Sequence, residues 1–368
     1  MAPSRPTRSV LIIEAGFLKS RHGKPVHGVE LFRWYLIEQL IARGVQVTVY
    51  YDPAWRDLVR ERFGTPDHCG TRGLHNRFTA PLGGTVSNAV HAIVDAKARG
   101  AGFGVVVFGN VCRGLIPAMQ LAPTLRIGQR CMGFAHRRAA PNAVRCAKRL
   151  RMPIVAVSEH VAKRFREHGH DDATVYYGLP NADVFHPNET PREEDGLVHF
   201  VLLGRLPNVS KGMPKALAAW NLLRESVRDR CRLHLVAFIE PTPIAMPGVV
   251  AHTWTPAAEI PALLRSMDVM LALSSNETFS QAIVQGMLTG LPIVATSLPV
   301  YVEKLDTGGG IVADEPEAIA EAMQRLAKDA SLRAQMGSAG RQTALERYVW
   351  RTDECIERFL FPHDGPAQ

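Results

Sequence analysis

Val269-Met270-Leu271-Ala272-Leu273-Ser274-Ser275-Asn276-Glu277-Thr278-Phe279-Ser280-Gln281-Ala282-Ile283-Val284-Gln285-Gly286-Met287 passes from an apolar run through a polar loop into a segment of helical spacing, and Ile293–Thr296 resumes as a second apolar run. Short β-branched runs on either side of a helix predict a parallel strand–helix–strand unit. Ligands bind such sheets at the carboxyl ends of the strands, which is where this loop falls, and the N–H groups of Phe279, Ser280 and Gln281 at the helix start favour a phosphate. Read as one continuous helix, the eight positions from Glu277 to Gln285 span roughly 12 Å, enough to bracket an extended ligand. A polar loop capped by Ser or Asn is the ordinary structural alternative.

The same rhythm runs outward in both directions. Upstream, Val198–Gly204, Leu233–Phe238 and Ile260–Ser266 alternate strand with helix, and downstream Glu317–Lys328 reads as a further helix. Thr255 and Pro256 fit an N-cap and a first helical position. In the first half, Val10–Ile13 reads as a strand, Val29–Arg43 as a helix with Gly44 as its left-handed stop, and Val45–Tyr50 as a strand. Gly104–Phe108 and Pro153–Val157 follow as strands, with Ser158 as candidate N-cap of a helix over Glu159–His168. Between Tyr177 and Gly196 the chain is rich in Pro, Asn, Asp and Glu, which suits an exposed connection. The expected division is 1–187, 188–340 and a C-terminal helix and tail, 341–368, with helix patterning from Ser338 to Leu360.

Composition narrows the classes. Across 368 residues, 43 Lys and Arg stand against 35 Asp and Glu, and 46% of residues are hydrophobic, so the chain can bury a core and disorder is excluded as its main state. No apolar run approaches the roughly 18 residues that span a bilayer. Val10–Ile13 is too short for a signal-peptide core and meets Glu14 at once. The six Cys are scattered without zinc spacing, which predicts a reducing cytoplasm.

A second loop, Gly204-Arg205-Leu206-Pro207-Asn208-Val209-Ser210-Lys211-Gly212, also follows a strand. Its two cations can clamp a diphosphate, Arg205 by its planar fork and Lys211 as a point charge, or can be solvated surface. Taken with Asn276-Glu277-Thr278-Phe279-Ser280, Gln285-Gly286-Met287 and Thr289-Gly290-Leu291-Pro292-Ile293-Val294-Ala295-Thr296, this loop resembles the donor half of family-four retaining glycosyltransferases of the GT-B fold. Glu259–Ser275 and Thr307–Leu326 extend the likeness. His27-Gly28-Val29-Glu30, Val155–Glu159 and Gly178–Pro187 are its weaker landmarks in the first half.

The resemblance implies two facing Rossmann-like domains with parallel sheets and a C-terminal helix that crosses back to the N-terminal domain. It implies transfer of a sugar from a nucleotide-diphosphate donor to an acceptor hydroxyl with retained configuration and no metal. Arg205 and Lys211 would neutralise the leaving diphosphate, Glu277 would face the transferred sugar, Thr278, Phe279, Ser280 and Gln281 would line the donor phosphate, and His136 would lie near the reacting sugar. A packed or exposed His136 is the alternative. Gln285 stands where the family's second carboxylate holds the donor ribose, and of the family's Gly-Gly pair only Gly28 is kept, so the close backbone approach to phosphate rests on Gly28. The loop Gly16–His27, with Lys19, Arg21, His22, Lys24 and His27, is a candidate for acceptor or phosphate contact.

Trp254 can lie against the donor base or in the core. The acceptor, whether glycan, glycolipid or small molecule, is left open. His136–Arg166 carries nine Lys and Arg against Glu159 alone. That cluster attracts an anionic membrane from the cytoplasmic side or a phosphorylated acceptor, or is a solvated helix face. No nucleic-acid-binding motif accompanies it. Three rival functions are a sugar-nucleotide epimerase or phosphorylase, a non-catalytic nucleotide-sugar-binding subunit, and a polyanion binder.

Overall fold

The structure, a computed structural model, describes residues 9–13, 37–50, 60, 103–108, 126–131, 148, 154–171, 173–175, 177, 181–189, 195–204, 206, 209–237, 244, 246–252, 255–349 and 351–355. The chain forms two compact units, one of residues 1–176 with 351–368 and the other of Tyr177–Trp350.

In the first unit β1 (Ser9–Ile13), β2 (Gln46–Tyr50), β3 (Phe103–Phe108), β4 (Arg126–Cys131), β5 (Ile154–Ala156) and β6 (Thr174–Val175) form one sheet in the order β2-β1-β3-β4-β5-β6. Every pairing in it is parallel. Gly44, at φ 72°, ends the helical residues 37–42 ahead of β2. Ser158 caps α1 (Glu159–Glu167), its Oγ accepting from the Val161 N–H at 3.3 Å. The buried face of α1, Val161, Ala162 and Phe165, follows helical spacing. Arg166, read from the sequence as part of a basic cluster, is engaged within the unit by Glu159 and by the Ala173 carbonyl at 2.9 Å.

The second unit builds β7 (Val198–Gly204), α2 (Met213–Leu222), α3 (Glu225–Arg228), β8 (Cys231–Ala237), β9 (Val249–His252), α4 (Ile260–Arg265), β10 (Val269–Ala272), α5 (Gln281–Thr289), β11 (Ile293–Ala295), α6 (Pro299–Leu305), β12 (Gly310–Val312), α7 (Pro316–Lys328) and α8 (Ala330–Thr343). Its sheet, again parallel throughout, runs β12-β11-β10-β7-β8-β9. The order reverses between β7 and β10, the position in such sheets at whose carboxyl ends ligands bind. On one face of the sheet Phe200, Leu202, Leu233, Leu235, Val269 and Leu271 pack against Trp220, Ile319 and Met323 of α2 and α7. Trp220 is fully buried and gives its indole N–H to the Pro247 carbonyl at 3.0 Å, which removes the cost of burying that donor.

Across β7, β8 and β9 three imidazoles form a hydrogen-bonded row that the sequence reading did not single out. His199 meets Asp195 at 2.9 Å and His234 at 2.9 Å, and His234 meets His252 at 2.8 Å. The signal was present: the three lie on one side of neighbouring strands by alternation, but only the register brings them together.

Several expectations are corrected. The units divide at Tyr177 rather than after 187, because 181–189 packs on the second unit: Asn188 donates to the Arg265 carbonyl at 2.9 Å, and Pro187 lies beside Gly290. The helix read over Ile260–Ser266 is α4, with Pro261 in its first turn, and Thr255 and Pro256 precede it rather than form its N-cap and first position. The helix expected over 338–360 is instead α8, which widens into a π turn at Ala344–Tyr348 and stops at Val349 in extended conformation. That turn rotates Tyr348 into full burial, with its hydroxyl donating to the Glu303 carbonyl at 3.3 Å. The chain then rejoins the first unit, where Asp353 of α9 (Thr352–Cys355) pairs with Arg43 at 2.6 Å. Among the described residues, no helix is long and apolar enough to cross a membrane.

Candidate active site at the sheet's switch point

Two loops meet where the strand order reverses. After β7 the chain makes a 3₁₀ turn, Val209–Lys211, and enters α2 through Gly212 at φ 84°. After β10 it runs through Ser274–Ser280 into α5. The Ser275 N–H donates to the Ser210 carbonyl at 2.9 Å, joining the two loops through their backbones. Across this seam the Lys211 ammonium forms an ion pair with the Glu277 carboxylate. Both side chains are about one-sixth exposed, 17% and 16%, so the pair is partly desolvated yet reachable from solvent. Ser274 Oγ donates to the same Glu277 oxygen at 3.3 Å, and the Ser274 carbonyl accepts from Thr296 Oγ1 at 2.8 Å, so Glu277 is fixed from β11 as well.

The turn into α5 is strained. Ser280 adopts φ 59°, the sole non-glycine residue with positive φ among the described residues, and its side chain makes no cap bond. A left-handed Ser at a helix start costs on the order of 1 kcal/mol, and such strain persists only where neighbours hold it. The neighbour is Tyr301 of α6, 1% exposed, whose hydroxyl shares hydrogen bonds with Ser274 and Ser280. Burial, then the Glu277 charge, pushes its phenol well above the usual range, so it stays a neutral hydrogen-bonding group. The start of α5 carries the positive end of the helix dipole.

Beneath this loop Phe279 is buried between aromatic and cationic neighbours. Its ring centroid lies 6.2 Å from those of Tyr177 and Tyr348, and Lys304 Nζ is 4.4 Å from the Phe279 centroid. Lys215 donates to the Asp314 carbonyl at 2.8 Å, and Asp314 accepts from the Ser297 N–H at 2.9 Å. That hydrogen bond holds the half-buried Asp314 carboxyl below its usual range.

The structure thus brings Lys211 together with the loop that carries Glu277, Thr278, Phe279, Ser280 and Gln281. Gln285 is on the second turn of α5, half-buried, with its carbonyl accepting from Thr289 Oγ1 at 2.9 Å. Because α5 starts at Gln281, only the last four steps of the Glu277–Gln285 stretch are helical, so the expected 12 Å helical ruler shortens to roughly 6 Å. Ser280 in the left-handed region is what breaks it. Arg205, Gly28, His136 and Trp254 lie outside the described residues, as does the loop Gly16–His27. Ser274, Thr296, Tyr301 and Lys304 were missed as supporting residues. They come from three separate segments, and nothing in their local sequence distinguishes them from core.

A positively charged side chain and a carboxylate thus meet beside a helix start without a side-chain cap, at the switch point of a parallel α/β sheet. Residues 198–329 match the model of the "Glycosyl transferases group 1" family. A stretch of 100 residues is 27% identical to N-acetyl-alpha-D-glucosaminyl L-malate synthase of Bacillus anthracis, and that match spans about a quarter of each protein, 26% and 26%. Among solved structures, a glycosyltransferase from Rickettsia africae matches with TM-score 0.72 at 14% identity, covering 96% of this chain and 99% of that one. HepE of Anabaena, solved with UDP-glucose, matches with TM-score 0.70 at 17% identity over 95% and 98%. Sucrose-phosphate synthase of Thermosynechococcus elongatus matches with TM-score 0.65 at 16% identity over 93% and 95%. The likeness read from the sequence is borne out, to the group 1 glycosyltransferases over residues 198–329 and to the GT-B fold over almost the whole chain.

Proposed function

We propose that this chain transfers a glycosyl group from a nucleotide-diphosphate sugar to an acceptor hydroxyl, with retained anomeric configuration and without a metal. The observation that carries this reading is the Lys211–Glu277 pair, delivered from the two loops of the switch point to the start of α5. HepE, of the same fold, was crystallised with UDP-glucose, which supports the donor class.

As the bond from the sugar to the diphosphate breaks, negative charge grows on the leaving oxygens. Lys211, with Arg205 six residues before it in the same loop, neutralises that charge together with the amides of the Thr278–Gln281 turn, and such prearranged groups are worth most where charge develops. Glu277 holds the sugar end, and Ser274 keeps its carboxylate oriented. The leaving phosphate oxygen takes the acceptor's proton, so no separate side-chain base is required. Donor binding redirects Lys211 from Glu277 to phosphate, leaving the carboxylate to face sugar hydroxyls.

Calorimetry with UDP, GDP and ADP tests the donor site. One of the three binds the wild-type protein, and Lys211→Met weakens that binding by roughly tenfold or more, as expected for losing a charge-assisted contact. Glu277→Ala keeps nucleoside diphosphate binding and loses donor turnover. Unchanged affinity in a folded Lys211→Met protein overturns the assignment.

A further inference from the structure

Helix α6 presents two side chains to the loop that enters α5. Tyr301 holds Ser274 and Ser280, and one turn further on Lys304 reaches under Phe279. Positions three apart share a helix face, so both act on the same loop. Lys304 is fully buried, at 0% exposure. Its ammonium lies 4.4 Å from the Phe279 ring centroid and 4.9 Å from that of Tyr348, and it donates to the Val300 carbonyl of its own helix at 3.1 Å.

A buried ammonium ordinarily finds a carboxylate, because an apolar side chain of the same length fills the space without the cost of desolvation. Here the two carboxylates that act on Lys304 are engaged elsewhere. Glu303 accepts from the Tyr177 hydroxyl, and Glu277 takes Lys211 and Ser274. Packing alone does not call for a lysine at this place. A cation stacked on Phe279 does two things an apolar residue cannot: it pins the ring by cation–π attraction, and it sets positive potential behind the turn that leads into α5.

We propose that Lys304 is a positioning residue of the donor site, its buried ammonium holding the Phe279 ring and thereby the Thr278–Gln281 turn against the donor diphosphate, while adding a fixed positive charge behind that turn. This rests on the donor site proposed above. Burial, opposed by Glu303 and Glu277, brings the Lys304 ammonium down to about 8. The proton is therefore held at pH 7, lost in the free protein as pH rises past 8, and drawn back when an anion arrives. The remaining groups on this cluster do not obscure that step. Tyr301 and Tyr348 are raised well above the usual phenol range, chiefly by burial, and stay neutral. Glu303 and Glu277 are the charged groups that act on it.

The test is titration calorimetry of the full chain with UDP, GDP and ADP at pH 7 and pH 9.5, for wild type and Lys304→Met. The wild-type protein is expected to bind one of the three, about tenfold more tightly at pH 7 than at pH 9.5, because a unit charge within roughly 10 Å of the diphosphate is lost between them. Near pH 8 its binding takes up protons, read from the dependence of the heat on buffer ionisation. Lys304→Met is expected to unfold at an equal or higher temperature, to bind roughly tenfold more weakly at pH 7, and to lose the pH step. Wild-type affinity in the variant, or an unchanged pH step, overturns the proposal. Absence of proton uptake by the wild-type protein does so too, without requiring the variant to fold. Failure of wild type to bind any of the three nucleotides overturns the donor site itself.

Discussion

Gly212 is where the fold of the second unit and its chemistry meet, and Gly212→Ala separates a steric consequence from a conformational one. At φ 84° an alanine carries a left-handed penalty of about 1 kcal/mol. Its Cβ would also lie 2.6 Å from Leu273 Cβ and in harder contact still with the Leu273 carbonyl. Leu273 directly follows β10 in the middle of the sheet, so the strand cannot yield and the Val209–Gly212 turn must move. Overpacking of this kind adds about 1–3 kcal/mol, for a total of about 2–4 kcal/mol.

Gly308→Ala is the matched control. Its φ is 89°, but no atom lies within 4 Å of the added Cβ, so only the left-handed penalty of about 1 kcal/mol applies. At roughly 2–4 °C per kcal/mol for a unit of this size, thermal unfolding by circular dichroism should fall by about 5–15 °C for Gly212→Ala and about 2–4 °C for Gly308→Ala. Because the moving turn carries Lys211 away from Glu277, nucleoside diphosphate affinity should drop in the first variant and hold in the second. Equal melting temperatures in the two variants, or a destabilised Gly212→Ala protein with intact affinity, would refute the reasoning.

Two further outcomes follow from other parts of the unit. Gln285→Glu replaces a neutral hydrogen bond by a charged one and should hold donor affinity or raise it by up to about fivefold in calorimetry if the side chain meets the donor ribose; a large loss contradicts that placement. Burial lowers the His252 pKa from 6.5, so the unfolded chain binds more protons there, and stability should fall as pH drops below 6.5 and level off beneath the folded value. The Asp195–His199–His234–His252 row can run N–H to N throughout with one extra proton at most, since a second makes two facing donors. Denaturant unfolding at pH 7.5 and pH 5 reads this out, and His252→Gln should flatten the difference; an equal drop in the variant removes the row as its source.

The fold of the second unit was legible because parallel strands buried on both faces leave continuous apolar runs such as Val198–Gly204 and Val269–Leu273, and helices leave a 3.6-residue spacing. β4, Arg126-Ile127-Gly128-Gln129-Arg130-Cys131, was not, since its polar composition carries no such run and its strand state comes from pairing with β3 and β5. The tail was misread for a related reason. Its helical pattern continues past Thr343, but burying Tyr348 against Tyr177 and Glu303 widens the helix to a π turn, a contact some 45 and more residues away in sequence.

At the site, residue types and loop positions were set by local sequence: Lys211 and Glu277 each stand a fixed few residues beyond a strand, and local periodicity shows that. That the two strands are neighbours, and that their loops bring ammonium and carboxylate together, is decided by strand order, which no single segment encodes. The same holds for Lys304. In sequence it is one more lysine near a helix end; only the packing of α6 under the Ser274–Ser280 loop seals it from water and sets it on the face of Phe279, because burial and cation–π geometry are properties of what surrounds a side chain, not of the side chain itself.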